Sequence, residues 1–188
     1  LILAASDSKK WHLTLGNHDS DSLLLDVYET FEPVCRHNGI TLNLTLPDME
    51  LPRIHCDKSR VIQILTILLD NAITYTLPDG MIDLEIFVKK RNVCYLVADH
   101  GNGIPDEEKE RIFDRFYQSD KSRKEKEHFG LGLSIARELT ELQKGKLTLT
   151  DTPGGGCTFC LMLPAAEEGN VTVSYTHLRA HETLSDLV

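Results

Sequence analysis

Tyr95-Leu96-Val97-Ala98-Asp99-His100-Gly101-Asn102-Gly103-Ile104 runs from an apolar stretch onto a carboxylate and then onto two glycines spaced one apart. The apolar part has the make-up of a buried strand, and the remainder that of a strand end and its loop. A carboxylate at a strand end is rigidly held and accepts hydrogen bonds from an exocyclic amine. Gly101 and Gly103, without a Cβ, let the backbone approach a flat ring or a phosphate. In isolation an Asp-x-Gly-x-Gly run is more often a plain turn, so the order of its neighbours decides between the two.

Immediately upstream, residues 81–88 alternate as a strand and pair with 93–98 across Lys89-Lys90-Arg91-Asn92. Pro78-Asp79-Gly80 is a turn. Before it, Asp57 caps a long helix that reaches about Thr76. Val61, Leu65, Leu68, Leu69 and Ala72 share the face that packs on a sheet, while Ile67, Asn71, Thr74 and Tyr75 share a second face. Asn71 needs partners if it is buried, and otherwise reads as a solvent-facing residue. Residues 40–46 alternate strictly as a strand ended by Pro47. A helix capped by Asp21 or Ser22 runs through Leu23, Leu24, Val27, Phe31 and Val34; Pro33 marks a kink or early end, and Asn38-Gly39 a stop. Residues 1–15 open as a helix tail that breaks at Gly16-Asn17.

Downstream, Pro105 suits the first turn of a short helix, with Asp106, Glu107 and Glu108 favourable to its dipole. Phe113 and Phe116, three apart, fall on one side. Residues 118–128 are nearly all polar and read as a mobile loop in preference to a solvated helix face. Gly130 and Gly132 then open a helix that continues through Leu139 and Leu142 to Gly145, and backbone N–H groups at such a start form a phosphate site. Residues 146–150 and 157–163 close the chain as a hairpin across Gly154-Gly155-Gly156. Strands in adjacent pairs with helices between them predict an α/β (α+β) fold, a two-layer sandwich of a mixed sheet and about three helices.

The 188 residues suffice for one domain with a real core. A net charge of −9 disfavours a nucleic-acid partner. No apolar run is of membrane-spanning length, no signal-peptide pattern is present, and the first residue is Leu1, all of which suggest a cytoplasmic piece of something longer. Five cysteines without disulfide-like spacing point to a reducing compartment. Cys157 and Cys160 have redox spacing but would face opposite sides of a strand, so no redox or zinc role is assigned to them.

Five of these stretches, in this order and at these separations, resemble the ATP-binding catalytic domain of sensor histidine kinases, within the gyrase, Hsp90, histidine kinase and MutL ATPase superfamily. Residues 63–76 are similar to the family's asparagine box and Asp99-His100-Gly101-Asn102-Gly103-Ile104 to its first glycine box. Phe113-Asp114-Arg115-Phe116 is similar to its phenylalanine box, Gly130-Leu131-Gly132-Leu133 to its second glycine box, and Gly156-Cys157-Thr158-Phe159 to its terminal strand. The resemblance implies the Bergerat fold over residues 22–166, with ATP and Mg²⁺ as ligands. Asp99 would accept from the adenine amino group. Gly101 and Gly103 would seat the purine beside Ile104, Tyr75 and Thr158. Asn71 would hold Mg²⁺, and Gly130, Leu131, Gly132 and Leu133 would meet the phosphates. Residues 118–129 would form a lid anchored by Phe113 and Phe116, its Arg123, Lys124 and Lys126 offsetting γ-phosphate charge.

The same resemblance makes residues 1–15 the end of a dimerisation and phosphotransfer helix hairpin and 16–21 a linker. The phosphoacceptor histidine would lie on that hairpin outside this chain, so no catalytic residue is assigned here; His12 is in the wrong place. Implied partners are ATP, the hairpin of the parent chain and a response regulator receiver domain, with a homodimeric parent. Alternatives are a catalytically degenerate ATP-sensing or protein-interaction module of the same fold, and a serine kinase acting on an anti-sigma antagonist, which the hairpin remnant disfavours. Two positions depart from the family pattern: Ile67 and Thr74 stand where it usually has an asparagine and a lysine, which should weaken Mg·ATP binding. Residues 167–188 fit no element of the domain. Within them 173–188 is similar to a translated transposase sequencing adapter and is read as non-native in preference to a natural tail.

Overall fold

A computed structural model of the chain describes residues 12–117 and 130–166. The expectations for residues 1–11, for the lid at 118–129 with Arg123, Lys124 and Lys126, and for 167–188 lie outside the described residues.

The described elements run β1 (Gly16–His18), α1 (Ser20–His37), β2 (Thr41–Thr45), β3 (Ile54–Cys56), α2 (Lys58–Tyr75), β4 (Met81–Lys89) and β5 (Asn92–Asp99). A single 3-10 turn (Arg111–Phe113), α3 (Gly132–Leu142), β6 (Lys146–Asp151) and β7 (Cys157–Pro164) complete them. Five strands form a sheet in the order β2-β4-β5-β7-β6. The β2–β4 pair is parallel and the others antiparallel, which gives the mixed sheet expected from the sequence. Ile82, Leu84 and Ile86 of β4, Val93, Tyr95 and Val97 of β5, and Phe159, Leu161 and Leu163 of β7 are buried together with Leu65, Leu68 and Leu139 of the helices. The alternate strand residues face away from the helices, as a period of two requires. This is the expected two-layer sandwich of a mixed sheet with, among the described residues, three α-helices.

Several local details differ from the sequence expectation. The stretch read as a linker over 16–21 contains β1, which pairs antiparallel with β3, Gly16 opposite Cys56, and α1 starts at Ser20. Three-residue strands carry no readable period, so neither was visible. Pro33 does not end α1, which continues to His37. Pro33 and Glu29, whose carbonyl loses its donor there, are both exposed, so that end of the lost bond is open to solvent. No helix opens at Pro105: the segment is a set of turns, with Glu108 N–H on the Pro105 carbonyl at 2.9 Å, leading into the 3-10 turn. Phe116 has φ +65°, so the chain leaves helical geometry before it, and Phe113 and Phe116 do not share a side.

Both ends of the described chain meet at β3. β1 pairs along one side of it, Ile54 bridges to Ala165, and the Ala166 N–H donates to the Arg53 carbonyl at 2.7 Å. Asp57, next in sequence, caps α2 by accepting from the Arg60 N–H at 3.2 Å. It also accepts from Ser59 Oγ at 2.6 Å and the Thr14 N–H at 2.8 Å. Its own N–H donates to Gln143 Oε1 at 2.8 Å, tying the start of α2 to the end of α3.

Candidate functional site

Asp99 is the last residue of β5, a strand paired on both edges, and is 4% exposed. Its Oδ1 accepts from the Gly101 N–H at 3.0 Å and the Cys157 N–H at 3.2 Å. Both bonds from other residues fall on one oxygen, which leaves Oδ2 for an incoming donor. Burial raises the carboxyl above its ordinary value, opposed by the Gly101 and Cys157 N–H groups that favour the anion. A fixed, buried carboxylate with one oxygen already satisfied is suited to reading a single amine.

Glycines shape the space around it. A Cβ on Gly101 would lie 2.2 Å from the Tyr75 carbonyl oxygen, so the end of α2 presses on this loop and only glycine fits. Gly156 has φ +104°, and a Cβ there would lie 2.1 Å from the Asp99 carbonyl oxygen. Gly103, with φ +69°, faces the same glycine, a Cβ position 3.5 Å from the Gly156 carbonyl. Thr158, opposite Ala98 across the β5–β7 pair, shares a 2.8 Å hydroxyl hydrogen bond with Thr152. Asp99, Gly101, Gly103 and Thr158 therefore gather at one end of the sheet, with Tyr75 meeting them through its backbone. Ile104 is partly buried against the core beside them.

On α2, Asn71 is half-buried and its Nδ2 donates to the Ile67 carbonyl one turn back at 2.8 Å. With the amide nitrogen so engaged, Oδ1 is the atom presented to a ligand. One oxygen of this kind fits Mg²⁺, which retains several waters and takes the rest of its ligands from phosphates. α3 begins at Gly132, where a Cβ would lie 3.2 Å from Ile67 Cγ2, so the start of α3 and the Asn71 turn of α2 are in contact. Leu131 and Leu133 flank that start and are partly buried. Gly130 has φ +67°; its carbonyl accepts from the Phe116 N–H at 2.9 Å, and a Cβ on it would lie 2.5 Å from the Tyr117 carbonyl. The residues on either side of 118–129 are thereby joined. Phe113 packs edge-on to Phe159 with centroids 6.4 Å apart, while the Phe116 ring is 67% exposed and its backbone N–H makes the bond to Gly130.

Sequence reasoning placed Gly156 and Cys157 in the terminal-strand motif but gave neither of them a role at this site. The signal was present in the run Gly154-Gly155-Gly156, all three at positive φ, but a glycine turn also closes hairpins that bind nothing. It also missed His100, whose Nε2 lies 2.8 Å from Asp83 Oδ2, with Asn43 Nδ2 donating to the other Asp83 oxygen at 2.8 Å. Burial works against the Asp83 anion, yet the bonds from His100 and Asn43 hold its carboxyl below the usual value. This run of polar contacts fixes the outer side of the loop that follows Asp99.

Residues 56–167 match the profile of the histidine kinase-, DNA gyrase B- and HSP90-like ATPase family. The chain is 48% identical over 98 residues to the sensor protein CiaH of Streptococcus pneumoniae, a match covering 52% of this chain and 22% of CiaH. Among solved structures it is similar to full-length ShkA in complex with AMPPNP, with 30% identity and a TM-score of 0.72, covering 82% of this chain and 32% of ShkA. It is also similar to the catalytic domain of histidine kinase ThkA, with 29% identity and a TM-score of 0.72, covering 81% of this chain and 97% of that domain. ThkA is also known in complex with the response regulator protein TrrA. The chain spans about a fifth of the length of CiaH.

Proposed function

Because this chain belongs to the histidine kinase-, DNA gyrase B- and HSP90-like ATPase family, we propose that it is the ATP-binding catalytic domain of a two-component sensor histidine kinase, passing the γ-phosphoryl of ATP to a histidine on a helix hairpin. The observation that carries the reading is Asp99: buried at a strand end, held on Oδ1 by two N–H groups, with glycines required on both sides of it. Its Oδ2 receives the adenine amino group, a charge-assisted bond worth roughly 1.5–3 kcal/mol. Gly101, Gly103, Ile104, Tyr75 and Thr158 border the purine. The start of α3, from Gly130 through Leu133, supplies N–H groups to the phosphates. Asn71 Oδ1 would hold Mg²⁺, which would supply charge neutralisation at the phosphates. The domain's part in the chemistry is positioning: it fixes adenine at Asp99 and phosphates at α3, so that the terminal phosphorus points toward the acceptor.

The acceptor histidine, the hairpin, the homodimeric parent and the response regulator belong to the larger assembly that the kinase relatives imply. ShkA in complex with an ATP analogue and ThkA in complex with a response regulator support the nucleotide and the regulator as partners. The five free cysteines agree with a cytoplasmic site for this domain. Among the described residues no helix is long and apolar enough to cross a membrane. We read residues 1–15 as the end of the hairpin, 16–21 as the linker into the domain and 173–188 as non-native. Nothing in the comparisons favours a degenerate module. The test is transfer of labelled γ-phosphoryl to a separately supplied hairpin domain of a histidine kinase. Label on its histidine, lost with Asp99→Asn, supports the kinase reading; nucleotide binding without transfer to any hairpin contradicts it.

A further inference from the structure

Cys94, Cys160 and Met162 lie on the sheet face opposite the helices. The β5 residues facing the helices are Val93, Tyr95 and Val97, and those of β7 are Phe159, Leu161 and Leu163, so Cys94, Cys160 and Met162 all point the other way. Strand register sets Cys94 directly opposite Met162, and one diagonal step from Cys160, which is opposite Leu96. The Cys94 and Cys160 side chains are close enough to interact across the strand pair. Cys94 is fully buried, while Cys160 and Met162 are partly exposed. Cys157, the partner that sequence spacing offers to Cys160, is buried on the helix side and takes no part.

Diagonal neighbours in an antiparallel pair have Cα atoms about 7–8 Å apart, beyond the roughly 4.4–6.8 Å that a disulfide spans. Two thiolates on one metal ion stand up to about 4.6 Å apart, twice a metal–sulfur length of about 2.3 Å. That spacing suits a bridging ion and not a sulfur–sulfur bond. Among the described residues no three His, Cys, Asp or Glu side chains are placed together to hold a metal, so zinc, magnesium and calcium lack a full ligand set here. Two thiolates and a thioether are the ligands that select Cu(I).

We propose that Cys94, Cys160 and Met162 form a binding site for a soft monovalent metal ion of the Cu(I) class. The ion binds two thiolates and one thioether, both thiol protons leave to solvent, and the metal keeps its oxidation state. The complex carries one net negative charge. The Lys89 ammonium, which acts on both sulfurs, offsets it against Glu85 beside Cys160. The site is independent of the nucleotide reading.

The test is anaerobic competition for Cu(I) between the full chain and a chromophoric Cu(I) chelator, repeated with Cys160→Ser, Met162→Leu and, as a thiol control, Cys56→Ala. One Cu(I) per chain is expected. Cys160→Ser should weaken binding by more than about 100-fold, beyond the 10–100-fold typical of changes outside the ligand set. Met162→Leu should weaken it less, and Cys56→Ala should leave it unchanged. Cys160 and Met162 are partly exposed, so both ligand variants are expected to fold, checked by circular dichroism. Failure of the wild-type chain to compete, equal binding by Cys160→Ser, or a Cys94–Cys160 disulfide in a peptide map of the air-exposed chain would each overturn the proposal.

Discussion

Burial raises the Asp99 carboxyl, and an amine ligand needs it ionised. A raised folded-state value makes the charge costly to folding at high pH and its loss early on acidification. ATP affinity should therefore fall with decreasing pH at a midpoint above 3.8, the ordinary value of the group. Subtracting the Asp99→Asn profile, measured by the same titration, removes the contribution of the phosphates. A midpoint at or below the ordinary value would contradict the assignment. Gly101→Ala places a Cβ 2.2 Å from a backbone carbonyl that cannot swing aside. A loss of about 1–3 kcal/mol in denaturant unfolding, together with weaker ATP binding, is expected. Ile67 and Thr74 are legible departures from the family pattern, and both are engaged locally. Ile67 packs at Gly132, and Thr74 Oγ1 donates to the Asp70 carbonyl at 2.8 Å. The pair Ile67→Asn with Thr74→Lys is expected to tighten Mg·ATP in calorimetry, and unchanged affinity and transfer rate would refute the idea. Asp99 was readable because a buried strand cannot end on a carboxylate without a reason. Gly156 was not, because its role depends on a backbone oxygen far away in sequence.

At the level of elements, α2 joins two functions through one helix. Its first turn is capped by Asp57, which also holds Thr14 of the lead-in, and its last turns carry Asn71 and press on Gly101. Burial opposes the Asp57 anion, but its bonds from Ser59, Thr14 and Arg60 prevail and lower the carboxyl below 3.8. With a depressed folded-state value, the stabilisation is present above the unfolded value and is lost as pH falls through the folded one. Asp57→Ala should cost about 1 kcal/mol in thermal or denaturant unfolding near neutral pH, and the deficit should shrink in acid. A deficit that persists unchanged in acid would mean that the carboxylate is not the source. The long elements were legible because α2, β4 and β5 repeat their period several times. β1, β3 and the turns after Pro105 were not, since short segments are fixed by partners distant in the chain.

Across the whole molecule, the sheet order β2-β4-β5-β7-β6 places the ends of β5 and β7 beside the last turn of α2, and contact between α2 and α3 brings the glycine-bearing helix start to the same end. The order of motifs along the chain therefore carried the fold, and the fold brings the motif residues to one end of the sheet. Which oxygen of Asp99 is free, and which glycines a side chain would block, required coordinates. The meeting of β1, β3 and Ala165 makes the entry and exit of the described chain one unit. Nucleotide binding at Asp99 is tested most directly by calorimetric titration of ATP into the chain, with and without Mg²⁺, for wild type and Asp99→Asn. Saturable binding is predicted, strengthened by Mg²⁺ and weakened about 10- to 100-fold by Asp99→Asn, the loss of one charge-assisted hydrogen bond. A folded chain that binds no ATP, or that binds it equally well with Asn at position 99, would contradict the assignment.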